Sequence, residues 1–526
     1  MKARAAAAVC LGLAACTYRV DSLVDAHDGN PGDYECARAI PPGSEAGGPT
    51  DGLCTLRAAI EEANATVARD RIEIPPGAYL LVLPINAGGG RLELTEDVII
   101  QGSGPQATTI EAGQNGSVFH IDGSDAVIRQ LTIQGGDAQA GGGMRIVDGE
   151  VEMSDVVVRD NEATTGGGGS YIEPGATLSL ERSVVRDNLA IGAFGGGLWN
   201  QGELRLFESE VSDNEGNRAG GIHNDGLLNL RNVTVSGNQV RQTSSAGTGG
   251  IRQWDFAFLN NVTVTDNQGT GNDPSSSLGG GIRTLDDATT VVKNSIIAGN
   301  DGQDGPHDCV GPLTSDSRYN LIGDTGGCEL PALVNTWARD TDPSLTGLTP
   351  SGGPTRVHRP FSDSPARGAG FPFPPGGPAA DACEGFDQRG VPRPEGGDEC
   401  DMGTVEITSS ASVVARFMLV DADSDTDIRP LLDGDRLVLD ELPAALTVRA
   451  AFDGPIPASV RFDYDGVTGV QIENATPYAL GGDSAGDFNP FPLTDGEHQL
   501  TATPFTQDDA SGGAGGRLTI GFEVLE

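Results

Sequence analysis

The chain has 526 residues, of which 77 are glycines and only 5% are aromatic. Its formal net charge is −42, because 75 acidic side chains face 33 lysines and arginines. A surface of that charge repels nucleic acid and anionic lipid headgroups, which excludes a nucleic-acid-binding protein. The length allows several domains, and the glycine content favours thin, repetitive β structure over one large globular core.

The first 16 residues have the features of an export signal. Lys2 and Arg4 form the charged start, and Ala5–Leu13 is apolar. Leu13-Ala14-Ala15-Cys16 then resembles a bacterial lipobox, which implies cleavage before Cys16 and attachment of lipid to its thiol. The resemblance implies an outer-membrane or cell-surface lipoprotein that contacts the membrane through its lipid anchor only. An ordinary secretory signal that is cleaved nearby is the alternative.

Of the eight cysteines, Cys10 leaves with the signal and Cys16 carries the lipid, which leaves six. An even number of cysteines in an exported chain indicates disulfides. Six cysteines allow many pairings, but these lie in three neighbouring pairs, and the sequential pairing closes three separate loops. The predicted disulfides are Cys36–Cys54, Cys309–Cys328 and Cys383–Cys400.

Residues 17–83 are predicted to form an N-terminal cap that begins with a strand at Tyr18–Ser22. Thr55–Ala65 is predicted to be a helix, because its apolar residues recur at helical spacing. Thr55 suits the N-cap position of that helix. A short helix at this point would cover the open end of a repetitive β structure, which otherwise exposes strand edges.

Four motifs follow one another through this cap: Asp28–Asp33, Cys36, Cys54–Ala65 and Ile72–Tyr79. In order and spacing they resemble the CSLREA domain, which caps secreted bacterial β-helix proteins. This chain has Cys-Thr-Leu-Arg-Ala where the name-giving motif has Cys-Ser-Leu-Arg-Glu. The family has no established activity, so the resemblance implies a fold and a location and not a reaction.

Residues 84–300 are predicted to be a right-handed parallel β-helix in an all-β protein. Between Gly141 and Asn300 a glycine opening, a β-branched run and a closing asparagine recur, with successive asparagines 24 to 33 residues apart. Periods of this length are typical of solenoids. An ordinary β-sandwich with glycine loops is the alternative, but a sandwich gives no reason to repeat an asparagine at one phase.

The closing asparagines are Asn161, Asn188, Asn214, Asn238, Asn267 and Asn300. We expect them at the corners of the coils, because glycine and asparagine tolerate a positive φ. We also expect their amides to form hydrogen bonds from one coil to the next, as in the side-chain ladders of stacked sheets.

Residues 301–407 are predicted to form the last coils and a disulfide-tied C-terminal cap. Motifs at Ser295–Asn300, Asn320–Asp324, Asp387–Gly390 and Cys400-Asp401 occur there in order. They resemble the C-terminal portion of choice-of-anchor Q proteins, which are β-helix surface proteins. In that family the anchoring device varies, and here the lipobox would supply it.

Residues 408–526 are predicted to be a second domain. Longer alternating strands separated by Gly, Asp and Pro turns indicate a β-sandwich. The stretch Glu473–Leu480 resembles an Ig-like module of secreted bacterial proteins, which implies an Ig-like fold but names no ligand.

The sequence contains no recognised catalytic signature: HExxH and phosphate-loop motifs do not occur, and Gly482–Gly486, which has the Gly-x-Ser-x-Gly spacing, lies among predicted strands and turns and not at a strand-to-helix elbow. Of the signatures of β-helix pectin hydrolases, only Asp-Asp is present, as at Asp286-Asp287, without matching partners. We therefore predict no catalytic residue. The arginines of the repeats are candidate bases but are more simply solvated strand residues: Arg145, Arg159, Arg182, Arg186, Arg205, Arg252 and Arg283.

Tyr171, Trp199 and His223 occupy similar positions in neighbouring repeats. They predict a stacked row of aromatic side chains on the surface, which suits the binding of sugar rings. A catalytic His223 is the less favoured interpretation.

Two acidic stretches are candidate calcium sites, because alternating oxygen ligands suit Ca²⁺. They are Asp25, Asp28, Asn30 and Asp33, and Asp421, Asp423, Asp425 and Asp427. Neither stretch has the complete Asp-x-Asp-x-Asp-Gly loop with a distal glutamate, so solvated loops are the alternative. No other cofactor is expected.

Together these observations predict a non-catalytic, lipid-anchored cell-surface protein that contacts a polysaccharide, matrix or surface-protein partner. A polysaccharide lyase or glycoside hydrolase of the β-helix fold is the alternative, and a glycan-binding protein is a third possibility.

Overall fold

The protein folds as a parallel β-helix followed by a second β domain, as a computed structural model shows. The structure describes residues 9–10, 15–39, 52–84, 90–113, 116–192, 194–241, 247–269, 279–285, 287–302, 305–331, 337–360, 364–372, 376, 381–394, 399–407, 413–453, 457–484 and 486–525. Within these ranges no helix combines the length and the apolar character needed to span a membrane.

Each coil of the β-helix contributes one strand to each of three long sheets, in the chain order sheet 1, sheet 2, sheet 3. Sheet 1 consists of Val9–Cys10, Cys16–Arg19, Asp70–Glu73, Val98–Gln101, Ala126–Arg129, Glu150–Ser154, Thr177–Glu181, Glu203–Phe207, Leu227–Arg231, Phe256–Asn260 and Thr289–Lys293. Sheet 2 consists of Gly77–Leu81, Thr108–Ala112, Thr132–Gln134, Val157–Arg159, Val184–Arg186, Glu210–Ser212, Thr234–Ser236, Thr263–Thr265, Ile296–Ile297, Asn320–Ile322 and Trp337–Arg339.

Sheet 3 consists of Leu92–Leu94, Phe119–Ile121, Met144–Ile146, Ser170–Ile172, Leu198–Asn200, Ile222–Asn224, Ile251–Gln253, Ile282–Thr284, Cys309–Pro312 and Gly327–Glu329. A narrow sheet 4 lies between sheets 2 and 3 in the middle coils: Asp137–Ala140, Glu162–Gly166, Leu189–Ala190, Glu215–Gly216 and Gln239–Val240. Two short pairs lie outside these sheets: Asp301–Gly302 with Gly305–Pro306, and Thr349–Pro350 with Arg356–Val357.

The strands are short and β-branched, and their side chains alternate between the interior and the outside. In the strand Met144–Ile146, for example, Met144 and Ile146 are buried while Arg145 faces outward. The inward residues of successive coils stack into one apolar core that runs from Cys16 to Ile322. The predicted all-β solenoid is therefore confirmed.

The N-terminal cap is continuous with the solenoid. Its helix α1 spans Leu56–Asn64, and the Thr55 side chain accepts a hydrogen bond from the Ala58 amide at 3.1 Å, so the predicted helix and N-cap are confirmed. The strand Cys16–Arg19 pairs in parallel with Asp70–Glu73, in line with the later strands of sheet 1. Coils therefore begin well before residue 84, the predicted start of the β-helix.

The predicted lipid-attachment residue lies at the first strand of sheet 1. Cys16 is disulfide-bonded and only 2% exposed, and its strand pairs with Val9–Cys10. Cleavage before Cys16 would remove that neighbouring strand. Most of the predicted signal, including Leu13 and Ala14 of the lipobox, lies outside the described residues, so lipid attachment at Cys16 stays a prediction.

The asparagine ladder forms as expected. Each Asn side chain donates from Nδ2 to Oδ1 of the asparagine one coil further on, at 2.8–3.0 Å along the whole series. The same Oδ1 also accepts the backbone amide of the preceding asparagine, for example Asn188 N to Asn214 Oδ1 at 3.1 Å. At the end of the series Asn300 donates to Asp308 Oδ1 at 2.8 Å.

The predicted backbone conformation at these corners is wrong by one residue. The ladder asparagines do not adopt a positive φ; the residue before each of them does, as at Asp213 with φ 55° and Gly237 with φ 68°. Aspartate and glycine tolerate this conformation. The asparagine is thereby free to turn its amide inward, where it is fully buried.

The glycine openings are required by close packing between coils. A Cβ atom on Gly250 would lie 2.5 Å from the carbonyl oxygen of Gly281 in the next coil. It would also lie 3.3 Å from the side chain of Asn267, so a larger residue here would push the ladder and the coil apart.

Residues 301–407 differ from the predicted terminal cap. Coils continue through Trp337–Arg339, but the described residues between 355 and 406 turn back and lie along the outer face of sheet 2. We call residues 355–406 the strap. The strap's polar groups meet strands of three coils: Arg356 binds Glu210 at 2.6 Å, His358 binds Ser236 at 2.7 Å, and the Thr404 amide donates to Thr263 at 3.1 Å.

Buried ion pairs hold the strap together. Arg393 is fully buried, pairs with Glu406 at 2.8 Å and donates to Asn232 of the β-helix at 3.2 Å. Arg389 pairs with Asp387 at 2.6 Å in an equally buried position. The strap buries the outward residues of sheet 2, which explains why the strands Glu210–Ser212 and Thr234–Ser236 have no exposed residue.

The structure contains the three predicted disulfides. Cys36 pairs with Cys54 in the N-terminal cap, Cys309 with Cys328 in the last coils, and Cys383 with Cys400 in the strap. Each closes a local loop of 17 to 19 residues and stabilises a segment that has little regular secondary structure.

The second domain is a β-sandwich of two antiparallel sheets around a core that includes Phe417, Val448, Phe462 and Phe522. One sheet holds Val413–Asp421, Thr426–Leu431 and Leu446–Asp453. The other holds Asp435–Val438, Ser459–Tyr464, Val467–Glu473, Gly496–Gln507, Ser511–Ala514 and Leu518–Leu525, with Asp435–Val438 as a parallel edge strand. Asp483–Ser484 and Asp487–Phe488 form a short hairpin, and Leu439–Glu441 is a 3-10 turn. The Ig-like assignment stays a prediction.

Removal of one rung of the asparagine ladder should destabilise the β-helix strongly. Asn214→Ala removes the acceptor of the Asn188 backbone amide and of one Asn188 side-chain N–H, and it removes the side-chain donor to the Val185 carbonyl, all in the interior. We expect a loss of about 3 kcal/mol in the free energy of unfolding, because buried unpaired polar groups are costly. Urea unfolding followed by circular dichroism measures it. Asn229→Ala, on the outer face of sheet 1, is the control; an equal loss in both variants would contradict the ladder's role.

The unfolding free energy should also depend on the protonation of Glu208. Burial raises the pKa of Glu208 to about 7, although Arg182 acts to lower it. The folded state therefore binds this proton more tightly than the unfolded chain, and its contribution to stability is lost as pH rises from about 5 to about 8. Glu208→Gln should flatten that part of the pH profile of urea unfolding, and an unchanged profile would show that Glu208 is not its source.

Candidate functional site

The outward residues of sheet 3 form one continuous row, because its strands are parallel and in register. From the first coil onward the row reads Glu93, His120, Arg145, Tyr171, Trp199, His223, Arg252 and Arg283. Neighbouring members lie about 4.8 Å apart along the solenoid axis. The row changes from mixed charge through aromatic rings to arginine, so its second half differs chemically from its first.

The aromatic part of the row is stacked, as predicted. The ring centroids of Tyr171 and Trp199 are 4.2 Å apart with planes 20° from parallel. Phe194, from the turn before the strand Leu198–Asn200, stacks on Trp199 at 4.6 Å and meets the edge of His223 at 4.9 Å. These contacts fix the rings in one arrangement.

The predicted exposure of this row is wrong. Trp199 is 9% exposed and His223 is 1% exposed, because Phe194 folds over both of them. Trp199 and His223 therefore cannot offer an open face to a sugar ring. Phe194 was missed by sequence reasoning, since its turn lies outside the repeating positions.

Asp225 links the two buried rings. Its Oδ1 lies 3.1 Å from His223 Nε2, and its Oδ2 accepts a hydrogen bond from Trp199 Nε1 at 3.0 Å. Burial lowers the pKa of His223, although Asp225 acts in the opposite direction. Burial acts to raise the pKa of Asp225, but the bonds from His223 and Trp199 outweigh it and hold that pKa below its usual range.

Arg252 follows His223 in the row and is only 8% exposed, which corrects the expectation that it is a solvated strand residue. Burial lowers the pKa of Arg252 to about 10, and the neighbouring cations Arg283 and Arg218 act in the same direction. Its guanidinium lies 5.5 Å from the ring of Trp254. Trp254 is 46% exposed and is the open aromatic surface beside the row.

A second amide ladder lies directly behind this part of the row. Asn200 donates to Asn224 Oδ1 at 2.5 Å, and Asn224 donates to Gln253 Oε1 at 2.7 Å, all in the interior. The preceding coils carry Ile146 and Ile172 at the same register. Apolar residues thus give way to a hydrogen-bonded network in the coils that carry Trp199, His223 and Arg252, and that network holds their strands in fixed positions.

The other arginines of the repeats are paired with carboxylates and do not converge on a site. The pairs are Arg145 with Glu173, Arg159 with Asp160, Arg182 with Asp155, Arg186 with Asp187 and Arg205 with Glu203. Of the Asp286-Asp287 pair, Asp286 lies outside the described residues, and Asp287 is exposed.

Several of the candidate calcium ligands are engaged by protein groups. Asp25 binds Arg57 at 2.6 Å and accepts two backbone amides, and Asp427 binds Arg449. Asp421 and Asp425 accept hydrogen bonds from their own loop and from the Phe488 amide. Over the described ranges, no group of three His, Cys, Asp or Glu side chains is placed to hold a metal ion, so neither calcium prediction fits this geometry.

Comparison with family models agrees with the fold. Residues 99–297 match the family model described as a right-handed beta helix region, which confirms the predicted handedness of the coils. Among solved structures, the pectate lyase Pel9A is 13% identical and aligns over 77% of this chain and 100% of its own, with a TM-score of 0.36. The sequence has no match among curated proteins.

The His223–Asp225 pair gives a testable protonation state. We expect His223 to titrate at lower pH than an exposed histidine, because its burial disfavours the imidazolium. Asp225→Asn removes the neighbouring carboxylate that opposes this effect and should lower the pKa of His223 further. NMR titration of the His Cε1 protons, assigned with His223→Gln, measures both shifts. A normal histidine titration in the unmodified protein would contradict the buried geometry.

Proposed function

We propose that this chain is an exported polysaccharide-binding protein and that its binding face is the part of sheet 3 around Arg252 and Arg283, with the exposed Trp254 beside it. The main supporting observation is that the exposed Trp254 lies next to arginine side chains. Sugar rings stack on exposed aromatic rings, and sugar hydroxyls or acid groups bind guanidinium. The buried amide network behind them keeps the face rigid.

The proposal keeps the non-catalytic interpretation: the rod contacts polysaccharide or matrix at a cell surface, with lipid on Cys16 as the anchor. The regular solenoid and its lack of a recognised catalytic motif support binding of a polysaccharide rather than its enzymatic cleavage. Three disulfides support an oxidising environment outside the cytoplasm.

A lyase or hydrolase is the second candidate, and one observation favours it. Arg252 has a lowered pKa and stands next to the His223–Asp225 pair, and perturbed pKa values cluster at functional sites. The discriminating experiment incubates purified protein with polysaccharides and follows chain length by size-exclusion chromatography. Binding without shortening supports the first proposal; shortening that His223→Gln abolishes supports the second.

Glycan-array binding tests the proposed face directly. We expect Trp254→Ala to weaken glycan binding by about tenfold or more, because exposed aromatic anchors dominate binding energies. Phe386→Ala is the matched control: this phenylalanine is also exposed, but it lies on the strap over sheet 2. If the unmodified protein retains no glycan, or if both variants bind like it, the proposed face is wrong.

A further inference from the structure

We infer that a cleft between sheet 1 of the β-helix and the second domain binds an extended acidic peptide, which adds as a strand to the edge strand Asp435–Val438. We call this cavity the interdomain cleft. It is separate from the proposed face on sheet 3, so the inference does not depend on polysaccharide binding. The partner is a protein segment with spaced carboxylates, which the arginines of the cleft recognise.

The interdomain cleft has the size of a ligand site and a charge unlike that of the whole chain. Its volume is about 740 Å³, within the range of roughly 300–1,000 Å³ that is typical of ligand pockets. Among the described residues, six arginines and four carboxylates line it, although the chain has a net charge of −42. The arginines are Arg19, Arg71, Arg129 and Arg182 of the β-helix and Arg429 and Arg436 of the second domain.

Two of these arginines are available to a ligand. The other four are paired with carboxylates: Arg71 with Glu73, Arg182 with Asp155, Arg429 with Asp435 and Arg436 with Glu523. Arg19 and Arg129 are exposed, and in the described part of the chain neither forms an ion pair with a carboxylate. Each offers a planar set of N–H donors that matches the two oxygens of a carboxylate.

The order of charges on the β-helix wall favours spaced carboxylates over a continuous polyanion. In the register of sheet 1, Arg19 is followed by Glu73, Gln101 and Arg129. A nucleic acid or a sulfated polymer would bring an anionic group against Glu73, and like charges in contact are costly. A peptide can place an uncharged residue there.

The distance between the two available arginines suits an extended peptide. Arg19 and Arg129 are three coil spacings apart, about 14 Å along the solenoid axis. An extended peptide rises about 3.3 Å per residue, so carboxylates four residues apart span nearly the same distance. They also lie on the same face of the peptide, because side chains alternate along a strand.

The second domain presents the edge strands of both of its sheets to the cleft. Residues 428–430 belong to Thr426–Leu431, the last strand of one sheet, and Asp435–Val438 is the last strand of the other. In the described part of the chain, one side of each strand therefore has no neighbouring strand. Pro430 lacks an amide, which weakens the first edge as a template, whereas Asp435–Val438 contains no proline. Strand addition at Asp435–Val438 supplies an extended peptide with main-chain hydrogen bonds.

Synthetic peptides test the charge and the backbone separately. The probe is an acetylated nonapeptide with aspartate at its third and seventh positions and serine, threonine or valine elsewhere. We expect it to bind about tenfold more tightly than the same peptide with two asparagines, since hydrogen bonds to charged groups are the strong ones. Isothermal titration calorimetry at low and high salt measures both affinities, and high salt should reduce the difference.

N-methylation of the probe tests strand addition. Alternate amides of a strand point to the same neighbour, so two probes are made, one methylated at odd and one at even residues. We expect one of the two to lose binding and the other to retain it. Dextran sulfate is the polyanion control and should not displace the unmethylated probe.

Variants assign the binding to the cleft. Arg19→Gln and Arg129→Gln should each weaken binding of the aspartate probe about tenfold and leave the asparagine probe unchanged. Arg159→Gln, which alters an arginine paired with Asp160 on sheet 2, is the matched control. Circular dichroism and the urea midpoint verify the fold of each variant.

Four results would overturn the inference. They are absence of probe binding, equal affinity for the aspartate and asparagine probes, equal binding of both methylated probes, and binding that survives both arginine variants. Displacement of the probe by dextran sulfate would also overturn it, because the cleft would then accept any polyanion. None of these results bears on glycan binding at sheet 3, which the glycan array tests by itself.

Discussion

The asparagine ladder is the interaction on which the rest of this structure depends. Each rung is a fully buried amide that is satisfied by the rungs before and after it and by a backbone carbonyl of the preceding coil. In an apolar interior the cost of an unpaired amide exceeds the net gain of a formed hydrogen bond. Coils must therefore stack at one height and in one register. Every outward row, including the one that carries Arg252, takes its position from that constraint.

The second ladder applies the same chemistry to a shorter stretch. From Asn200 to Gln253 the interior exchanges aliphatic packing for hydrogen bonds, which adds little stability but much specificity of position. The exchange occurs behind the coils where Phe194 covers Trp199 and where the arginines gather. A rigid interior thus lies behind Arg252 and the exposed Trp254, which is the arrangement expected where binding geometry matters more than local stability.

Local features of this chain could be predicted from sequence, and distant contacts could not. The helix beginning after Thr55, the ladder asparagines and the disulfides all depend on spacings within about one repeat. The strap could not be placed, because Arg393 reaches Asn232 across 161 residues of sequence. The burial of Trp199 and Arg252 was likewise hidden, since it depends on Phe194 and on neighbouring coils. The one-residue error in the corner conformation arose because aspartate at positive φ leaves no distinct pattern.

The ladder also has a polarity. Every rung donates toward the C-terminal end, so the amide dipoles point the same way, much as peptide dipoles do along an α-helix. The series starts at the Gly136 amide, which donates to Asn161, and it ends at Asp308, whose carboxylate only accepts. An ionised carboxylate supplies no donor for a further rung. Asp308 therefore terminates this ladder. The length of the ladder is set by the number of asparagines that precede Asp308 in the sequence.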